Sequence, residues 1–288
     1  MQADSSLRDT GLFFFKGEDN AKFAVCNAGG GFAYVGAMHD SFPHALELSK
    51  MGYNAFALIY RPDAPYDDLA RAIEFIHDNA DTLKVDPDDY SLWGGSAGAR
   101  MAATLGNSDY LKQLTGRTDI GQAGAVIMQY TGYTYTSKAD APTYVCVGTN
   151  DGIANWKTMQ SRLNTLESYG IPTEFHAYEG LPHGFGLGTG TVAEGWIYDA
   201  VNFWEEQFSG TIPAKRRQFI SDVPEIDSRL SFGSTMNDGF TVDNVLHSDT
   251  QGEIHFSSYI PESYDGSEPY ALFVTLPGWE GNVIKLRN

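Results

Sequence analysis

The feature that most constrains this chain is a regular alternation of continuous apolar runs with amphipathic segments between residues 12 and 208. Continuous apolar runs are typical of strands buried on both faces of a parallel sheet. The segments between them carry apolar residues at helical spacing, which suits helices that cover such a sheet. The predicted strands are Leu12–Phe15, Phe23–Asn27, Ala55–Tyr60, Tyr90–Trp93, Ala125–Gln129, Tyr144–Gly148 and Glu174–Tyr178. The predicted helices are His39–Lys50, Asp67–Asn79, Trp156–Tyr169 and Val192–Phe208.

This order of elements predicts an α/β fold with a mostly parallel, doubly wound sheet and helices on both faces. In an open sheet of this kind, binding and chemistry take place at the carboxyl ends of the strands. Reactive side chains are therefore expected in the loops that follow the predicted strands.

The pattern changes after Phe208, and the chain is predicted to divide there. Residues 1–208 form the predicted α/β domain, and the polar stretch 209–238, with two prolines and a short basic run, is the predicted linker. Residues 239–288 read as a β-rich extension. Its predicted strands are Phe240–Leu246, Glu253–Ile260 and Tyr270–Leu276.

Charge and composition exclude several classes of partner. The net charge of −18 disfavours nucleic acids and anionic membrane surfaces as partners. No apolar run is long enough to cross a bilayer, and the first residues lack the pattern of an export signal, so a cytoplasmic protein is expected. Cys26 and Cys146 lie inside apolar strands and are expected to be buried, reduced thiols.

Gly94–Gly98 carries the pattern Gly-x-Ser-x-Gly between a predicted strand and a helix-like run. A serine nucleophile needs such a tight strand-to-helix turn, and the flanking glycines leave room for the neighbouring backbone. The bare pattern also fits an ordinary glycine-rich turn, so Ser96 is a candidate that depends on what surrounds it.

The stretch Asn27–Phe32 supplies a glycine-rich loop directly after another predicted strand. Its glycines Gly30 and Gly31 can turn backbone N–H groups toward a developing oxyanion, with the N–H of Ala97 as the second donor, and Phe32 can contact substrate. A phosphate-binding loop is the alternative, but the spacing G-x-G-x-x-G is broken by Tyr34.

An acid and a histidine follow two later strands. Asp151 stands in a loop after the Tyr144–Gly148 strand, and His183 stands in a loop after the Glu174–Tyr178 strand. A carboxylate that accepts from a histidine N–H fixes the ring for use as a general base. Each residue alone also fits an ordinary turn or exposed loop, and His39 beside the glycine loop is the other candidate base. The chain order serine, aspartate, histidine favours Ser96, Asp151 and His183 together.

With these motifs, residues 12–208 resemble an α/β-hydrolase, in particular the compact carboxylesterase and acetylesterase group with a GGG-type oxyanion loop. The resemblance implies Ser96 as nucleophile, His183 as base and Asp151 as its orienting acid, with oxyanion N–H groups from Gly30, Gly31 and Ala97. It implies no metal or organic cofactor. Ala28 stands where that group carries a histidine, so a contact that steadies the loop is expected to be missing. The connection around 133–142 is too short for a large lid.

The tail carries a second resemblance. Tyr259–Gly266 and Pro277–Gly281 look like the opening strands and oxyanion loop of a depolymerase-like or feruloyl-esterase-like hydrolase, so the tail resembles the start of a second, truncated domain. Its strands are expected to pack on the first sheet, to extend it, or to exchange between two chains in a homodimer.

The expected function is hydrolysis of short-chain acyl esters through an acyl-enzyme, with small-molecule esters, including acetylated or feruloylated carbohydrates, as the candidate substrates. A prolyl-oligopeptidase-like serine peptidase shares this core and is one alternative. A non-catalytic binding module with the hydrolase fold is the other.

Overall fold

A computed structural model describes residues 9–209, 230–231, 236–237, 240–248 and 252–258. The chain divides into two units between Arg216 and Arg217. The strands of the first unit are β1 (Gly11–Phe15), β2 (Ala21–Asn27), β3 (Asn54–Ile59), β4 (Val85–Gly95), β5 (Ala125–Gln129), β6 (Thr143–Gly148) and β7 (Thr173–Tyr178). Its helices are α1 (Ala37–Asp40), α2 (Phe42–Lys50), α3 (Pro65–Asp78), α4 (Ala80–Leu83), α5 (Ala97–Leu105), α6 (Ser108–Thr115), α7 (Trp156–Ser168) and α8 (Trp196–Ser209).

The seven strands form one sheet in the order β1-β3-β2-β4-β5-β6-β7. Strands β2 to β7 run parallel, and β1 pairs antiparallel with β3 at one edge. The residues of β5 and β6 are buried throughout, as the continuous apolar runs predicted. The prediction of a mostly parallel, doubly wound α/β fold is confirmed.

Helices cover both faces of this sheet. On one face, α3, α5 and α7 place Ile73, Met101 and Leu163 in a single apolar cluster with side chains of β2 to β6. On the other face, α2 and α8 pack around Trp93, and Trp204 of α8 is fully buried there. All the predicted strands of this unit are confirmed, including β1 and β7 at the sheet edges, which are only partly buried. For the central strands, burial on both faces leaves a strong apolar signal in the sequence.

The predicted helices differ from the structure in detail. The expected helix His39–Lys50 is broken at Ser41 into α1 and α2, with Pro43 in the first turn of α2. Proline has no N–H to donate and is favoured in a first turn, where no intrahelical partner exists. Helix α8 begins at Trp196 rather than Val192, because the residues before it form turns.

Helices α4 and α6 were not predicted from the sequence. For α6 a signal exists, since Asn107 accepts hydrogen bonds from two N–H groups of the first turn and Gly116 ends the helix in the left-handed conformation. Among the described residues, no helix is long and apolar enough to cross a membrane.

The described strands of the tail pair with one another. They are β8 (Leu230–Ser231), β9 (Met236–Asn237), β10 (Phe240–Ser248) and β11 (Gly252–Ser258), and β10 pairs antiparallel with the other three. Thus β8 and β9 fall within the stretch predicted as a linker. The predicted strand Tyr270–Leu276 and the motif Tyr259–Gly281 lie outside the described residues, and the homodimer stays a prediction.

The two cysteines are free and buried, as expected. Burial raises the pKa of both thiols well above the ordinary value, because a thiolate in an apolar interior is poorly solvated. Neither Cys26 nor Cys146 therefore has the character of a reactive nucleophile.

One buried titratable group of α2 should make the fold sensitive to acid. Burial lowers the pKa of His44 to about 4. An unfolded histidine titrates near 6.5, so between these two values the unfolded chain binds a proton that the folded chain does not. The free energy of unfolding is therefore not reduced by His44 above pH 6.5, and it decreases as the pH falls from 6.5 toward 4.

We expect the free energy of unfolding to fall more between pH 7 and pH 5 in the natural chain than in His44→Leu, by about 1–2 kcal/mol. Urea unfolding of both proteins at the two pH values measures this difference. His176→Gln is a control, since His176 is only partly buried and bonded to Glu174. An equal decrease in the free energy of unfolding between pH 7 and pH 5 in the natural chain and in His44→Leu would contradict the prediction.

Candidate active site

Ser96 stands on the sharp turn between β4 and α5. Its backbone has φ 52° and ψ −114°, a conformation that residues with side chains rarely adopt. The turn is held by close backbone packing: a Cβ on Gly98 would lie 2.0 Å from the carbonyl oxygen of Asn27, and one on Gly94 would lie 2.2 Å from the carbonyl carbon of Gly98. Both positions therefore require glycine, for the reason that the Gly-x-Ser-x-Gly pattern suggested.

The three side chains predicted to act together form one hydrogen-bonded chain. His183 Nε2 lies 3.0 Å from Ser96 Oγ, and His183 Nδ1 lies 2.7 Å from Asp151 Oδ2. A carboxylate only accepts, so Nδ1 carries the proton and donates to Asp151. The lone pair of Nε2 then faces the serine hydroxyl, which is the tautomer that a general base requires.

Asp151 is held rigidly at the end of this chain of bonds. Its side chain is fully buried, and its Oδ1 accepts the backbone N–H groups of Ile153 at 2.8 Å and Ala154 at 2.7 Å. The loop after β6 thus wraps its backbone around the carboxylate and leaves Oδ2 for the histidine. An unpaired buried carboxylate would be costly, and these bonds compensate for its loss of water.

His183 lies on the loop after β7, partly open to solvent. The ring of Tyr130 packs against it edge-on, with the ring centroids 4.9 Å apart. Its side chain is 20% exposed, so a substrate can reach the ring nitrogen that faces Ser96. The structure therefore brings His183 to the serine. The other candidate, His39, instead bonds through Nε2 to the carbonyl oxygen of Gly184 at 2.6 Å.

The glycine loop after β2 passes directly beside the nucleophile. A Cβ on Gly29 would lie 3.0 Å from the Cβ of Ser96, and Gly30 and Gly31 have φ +132° and +62°. Among the described residues, the N–H groups of Gly30 and Gly31 have no hydrogen-bond partner. Ala97 begins α5, and the first N–H groups of a helix have no intrahelical acceptor. Three unsatisfied donors are thus available near Ser96.

The loop is steadied by a residue that the sequence analysis did not identify. Asp40, buried on α1, accepts the N–H of Gly29 through Oδ2 at 3.0 Å and the hydroxyl of Tyr130 through Oδ1 at 2.6 Å. Tyr60 adds a hydrogen bond of 2.8 Å from its hydroxyl to the carbonyl oxygen of Ala28. The expectation that Ala28 leaves the loop without a steadying contact is therefore wrong. Two side chains distant in sequence supply such contacts.

An open cleft of about 510 Å³ leads to the serine. It is lined by Phe32, Ser96, Ala97, Arg100, Tyr130, Thr131, Gly132, Tyr133, Thr134, Tyr135, Ile153 and Ala154. Half of these residues come from the short connection after β5, which forms a wall of the cleft and has no room for a separate lid. Phe32 lines the cleft as predicted, and its ring also packs against Tyr60 and Tyr66.

In the described part of the chain, no group of three or more histidine, cysteine or acidic side chains is placed to hold a metal ion. The hydrogen-bonded chain, the free N–H donors and the open cleft can act together on an electrophilic carbonyl. The serine would attack, the histidine would accept its proton, and the donors would face the resulting negative charge.

One family model matches part of this chain. The family model described as BD-FAE matches residues 16–131, a stretch that includes the glycine loop and Ser96 but not Asp151 or His183. Comparison with curated protein sequences returned no match.

Several solved structures share the fold. An acetyl ester-xyloside bifunctional hydrolase from Caldicellulosiruptor lactoaceticus is 21% identical, with a TM-score of 0.59 over 70% of this chain and 94% of that one. A sugar hydrolase from Lactococcus lactis is 20% identical, with a TM-score of 0.59 over 69% of this chain and 95% of that one. Esterase 2 of Thermogutta terrifontis, phosphorylated by paraoxon, is 19% identical, with a TM-score of 0.58 over 71% and 91%.

Proposed function

We propose that this chain, which has the α/β-hydrolase fold, is a serine carboxylic-ester hydrolase acting on short-chain acyl esters. The observation that carries the proposal is the continuous hydrogen-bonded chain from Ser96 through His183 to Asp151, at the base of an open cleft. The BD-FAE match and the esterases among the structural neighbours support the same class of reaction.

The site geometry supports the following first half of the proposed reaction. Nε2 of His183 takes the proton of Ser96 as Oγ attacks the ester carbonyl carbon. The carbonyl oxygen becomes an oxyanion and accepts hydrogen bonds from the N–H groups of Ala97 and of Gly30 or Gly31. The carboxylate of Asp151 stabilises the imidazolium that forms.

The second half regenerates the enzyme. The tetrahedral intermediate collapses, the bond to the alcohol oxygen breaks, and His183 gives its proton to the leaving alkoxide. Ser96 then carries the acyl group. Water, activated by His183, attacks the same carbon and releases the carboxylic acid.

The size of the cleft and its tyrosines favour small acyl groups on a larger, carbohydrate-like alcohol. Within the described residues no lid closes over the cleft, so a bulky alcohol can extend into solvent while a short acyl group lies near Ser96. Two structural neighbours are named as an acetyl ester-xyloside hydrolase and a sugar hydrolase. We therefore include acetylated and feruloylated carbohydrates in the proposed substrate class.

The first prediction concerns the nucleophile. We expect Ser96→Ala to reduce kcat for 4-nitrophenyl acetate by at least about 10³-fold, because the variant lacks the hydroxyl that forms the acyl-enzyme in the proposed mechanism. Nitrophenol release from the acetate, butyrate and octanoate esters measures both the loss and the preferred acyl length. Ser168→Ala, on the exposed end of α7, is the matched control and should retain full activity.

Ester hydrolysis that persists in Ser96→Ala would contradict the proposed mechanism. A natural chain that hydrolyses none of the esters but cleaves peptides would indicate the prolyl-oligopeptidase-like alternative. A chain that hydrolyses neither would indicate a binding module.

The second prediction concerns Asp40 as a positioning residue. We expect Asp40→Ala to lower kcat about 10- to 100-fold with little change in KM, because the loop that carries the oxyanion donors loses the acceptor of the Gly29 N–H. The variant should also lose about 1–3 kcal/mol of stability, because the buried hydroxyl of Tyr130 is left without its acceptor.

The double variant Asp40→Ala/Tyr130→Phe separates these two effects. Removing the stranded hydroxyl should restore part of the free energy of unfolding, measured in urea, while kcat stays low. If kcat recovers together with stability, Asp40 acts only on the fold and not on the loop.

A further inference from the structure

A second hollow adjoins the cleft at Ser96. It measures about 320 Å³ and shares Thr134 with the cleft. It lies between the connection after β5 and the first turns of α7, and it is lined by Thr134, Asn155, Lys157, Thr158, Ser161, Arg162 and Thr165. The lining is made of hydroxyl, amide and cationic groups, so the hollow suits a polar, hydroxylated ligand rather than an acyl chain.

The charged residues that line the two hollows are all basic. Arg100 lines the cleft, and Lys157 and Arg162 line the second hollow. The chain as a whole carries 37 acidic residues against 19 basic ones, with a net charge of −18. Basic residues gathered at one place in such a chain oppose its overall repulsion of anions and make a local site for one.

Two of these cations have no acidic partner within the described residues. Arg100 and Lys157 form no ion pair there, and their recorded side-chain contacts are with the rings of Tyr133 and Trp156. Both side chains are exposed, so their donors are open to a ligand. An arginine that stacks on an aromatic ring keeps its guanidinium edge free to bind a carboxylate.

Arg162 forms part of the wall of the hollow, where its charge is paired with that of Asp140. It is buried and bonded to Asp140 Oδ2 at 3.0 Å through Nη2, and to the carbonyl oxygen of Tyr135 at 3.1 Å through Nε. Its Nη1 is buried and has no partner among the described residues. The ring of Tyr133 lies near both guanidiniums, with its centroid 5.7 Å from that of Arg100 and 5.5 Å from that of Arg162.

We propose that the second hollow, together with Arg100 of the adjoining cleft, binds a uronic-acid unit of the substrate. The inference rests on the proposed function and narrows it: the substrate is an ester of a carboxylate-bearing carbohydrate. The acyl group lies in the cleft at Ser96. The sugar hydroxyls face the threonines and Ser161, and the carboxylate binds between Arg100 and Lys157.

A pair of substrates that differ only in charge tests this proposal. One is acetylated trigalacturonate, and the other is the same trisaccharide after its carboxyl groups are reduced to alcohols. We expect the natural chain to favour the charged ester at least about tenfold in kcat/KM at low salt. The preference should narrow at high salt, which screens exposed charges.

Variants assign the preference to the two cations. Arg100→Gln and Lys157→Gln should each lower the ratio of kcat/KM for charged over reduced substrate by about fivefold, the effect of roughly one exposed charge pair. Lys112→Gln, on the exposed surface of α6 outside both hollows, removes the same charge and should keep the ratio of the natural chain.

Three results would overturn the proposal while leaving the esterase reaction intact. The first is an equal kcat/KM for the charged and the reduced trisaccharide ester. The second is an unchanged ratio of these two kcat/KM values in both Arg100→Gln and Lys157→Gln. The third is a higher kcat/KM for 4-nitrophenyl hemisuccinate than for 4-nitrophenyl butyrate, with no effect of the uronate carboxylates on kcat/KM. The last would place the carboxylate on the acyl side.

If no ester is hydrolysed, the proposed function fails but the subsite can still be measured. Calorimetric titration of the full chain with trigalacturonate then shows whether the subsite binds a uronate. Binding that weakens in Arg100→Gln and Lys157→Gln supports the subsite, and no binding overturns it.

Discussion

The end of β2 and the start of α5 approach each other so closely that no side chain fits between them, and the site depends on this contact. A Cβ on Gly98 would lie 2.0 Å from the carbonyl oxygen of Asn27, and Gly94 is blocked by Gly98 itself. The contact places the glycine loop after β2 beside the strained turn at Ser96. Ser96 and the glycine loop thus lie side by side because two stretches of bare backbone can touch.

Asp40 links the two sides of this arrangement. One carboxylate oxygen holds the glycine loop through Gly29, and the other holds the hydroxyl of Tyr130, whose ring packs against His183. His39, the preceding residue, bonds to the backbone of Gly184 in the histidine loop. The short helix α1 therefore connects the glycine loop after β2 with the loop that carries His183. Preorganised donors cost no rearrangement when charge develops, so under the proposed mechanism rigid support of these loops would favour the rate.

The charges of the molecule are unevenly distributed in a way that bears on the substrate. The chain has more acidic than basic residues. The charged residues that line the two hollows near Ser96 are nevertheless Arg100, Lys157 and Arg162, and none of the lining residues is acidic. Asp140 neutralises the buried Arg162, whereas the two exposed cations are left for a ligand. Selectivity for an anionic sugar would then come from Arg100 and Lys157, while the positions of Ser96, His183 and Asp151 stay the same.

The sequence alone determined the sheet, the nucleophile turn and the three residues that the structure brings together. Strands buried on both faces leave continuous apolar runs, and the Gly-x-Ser-x-Gly turn, Asp151 and His183 each follow a strand whose carboxyl end lies at the same edge. Only the tertiary structure identified Asp40, Tyr60 and the basic hollow. Their partners lie far away in the chain: Asp40 and Tyr130 are 90 residues apart, and Arg100 and Lys157 come from different helices. A buried hydrogen bond between such positions depends on how helices pack onto the sheet, and no local pattern of residues encodes that geometry.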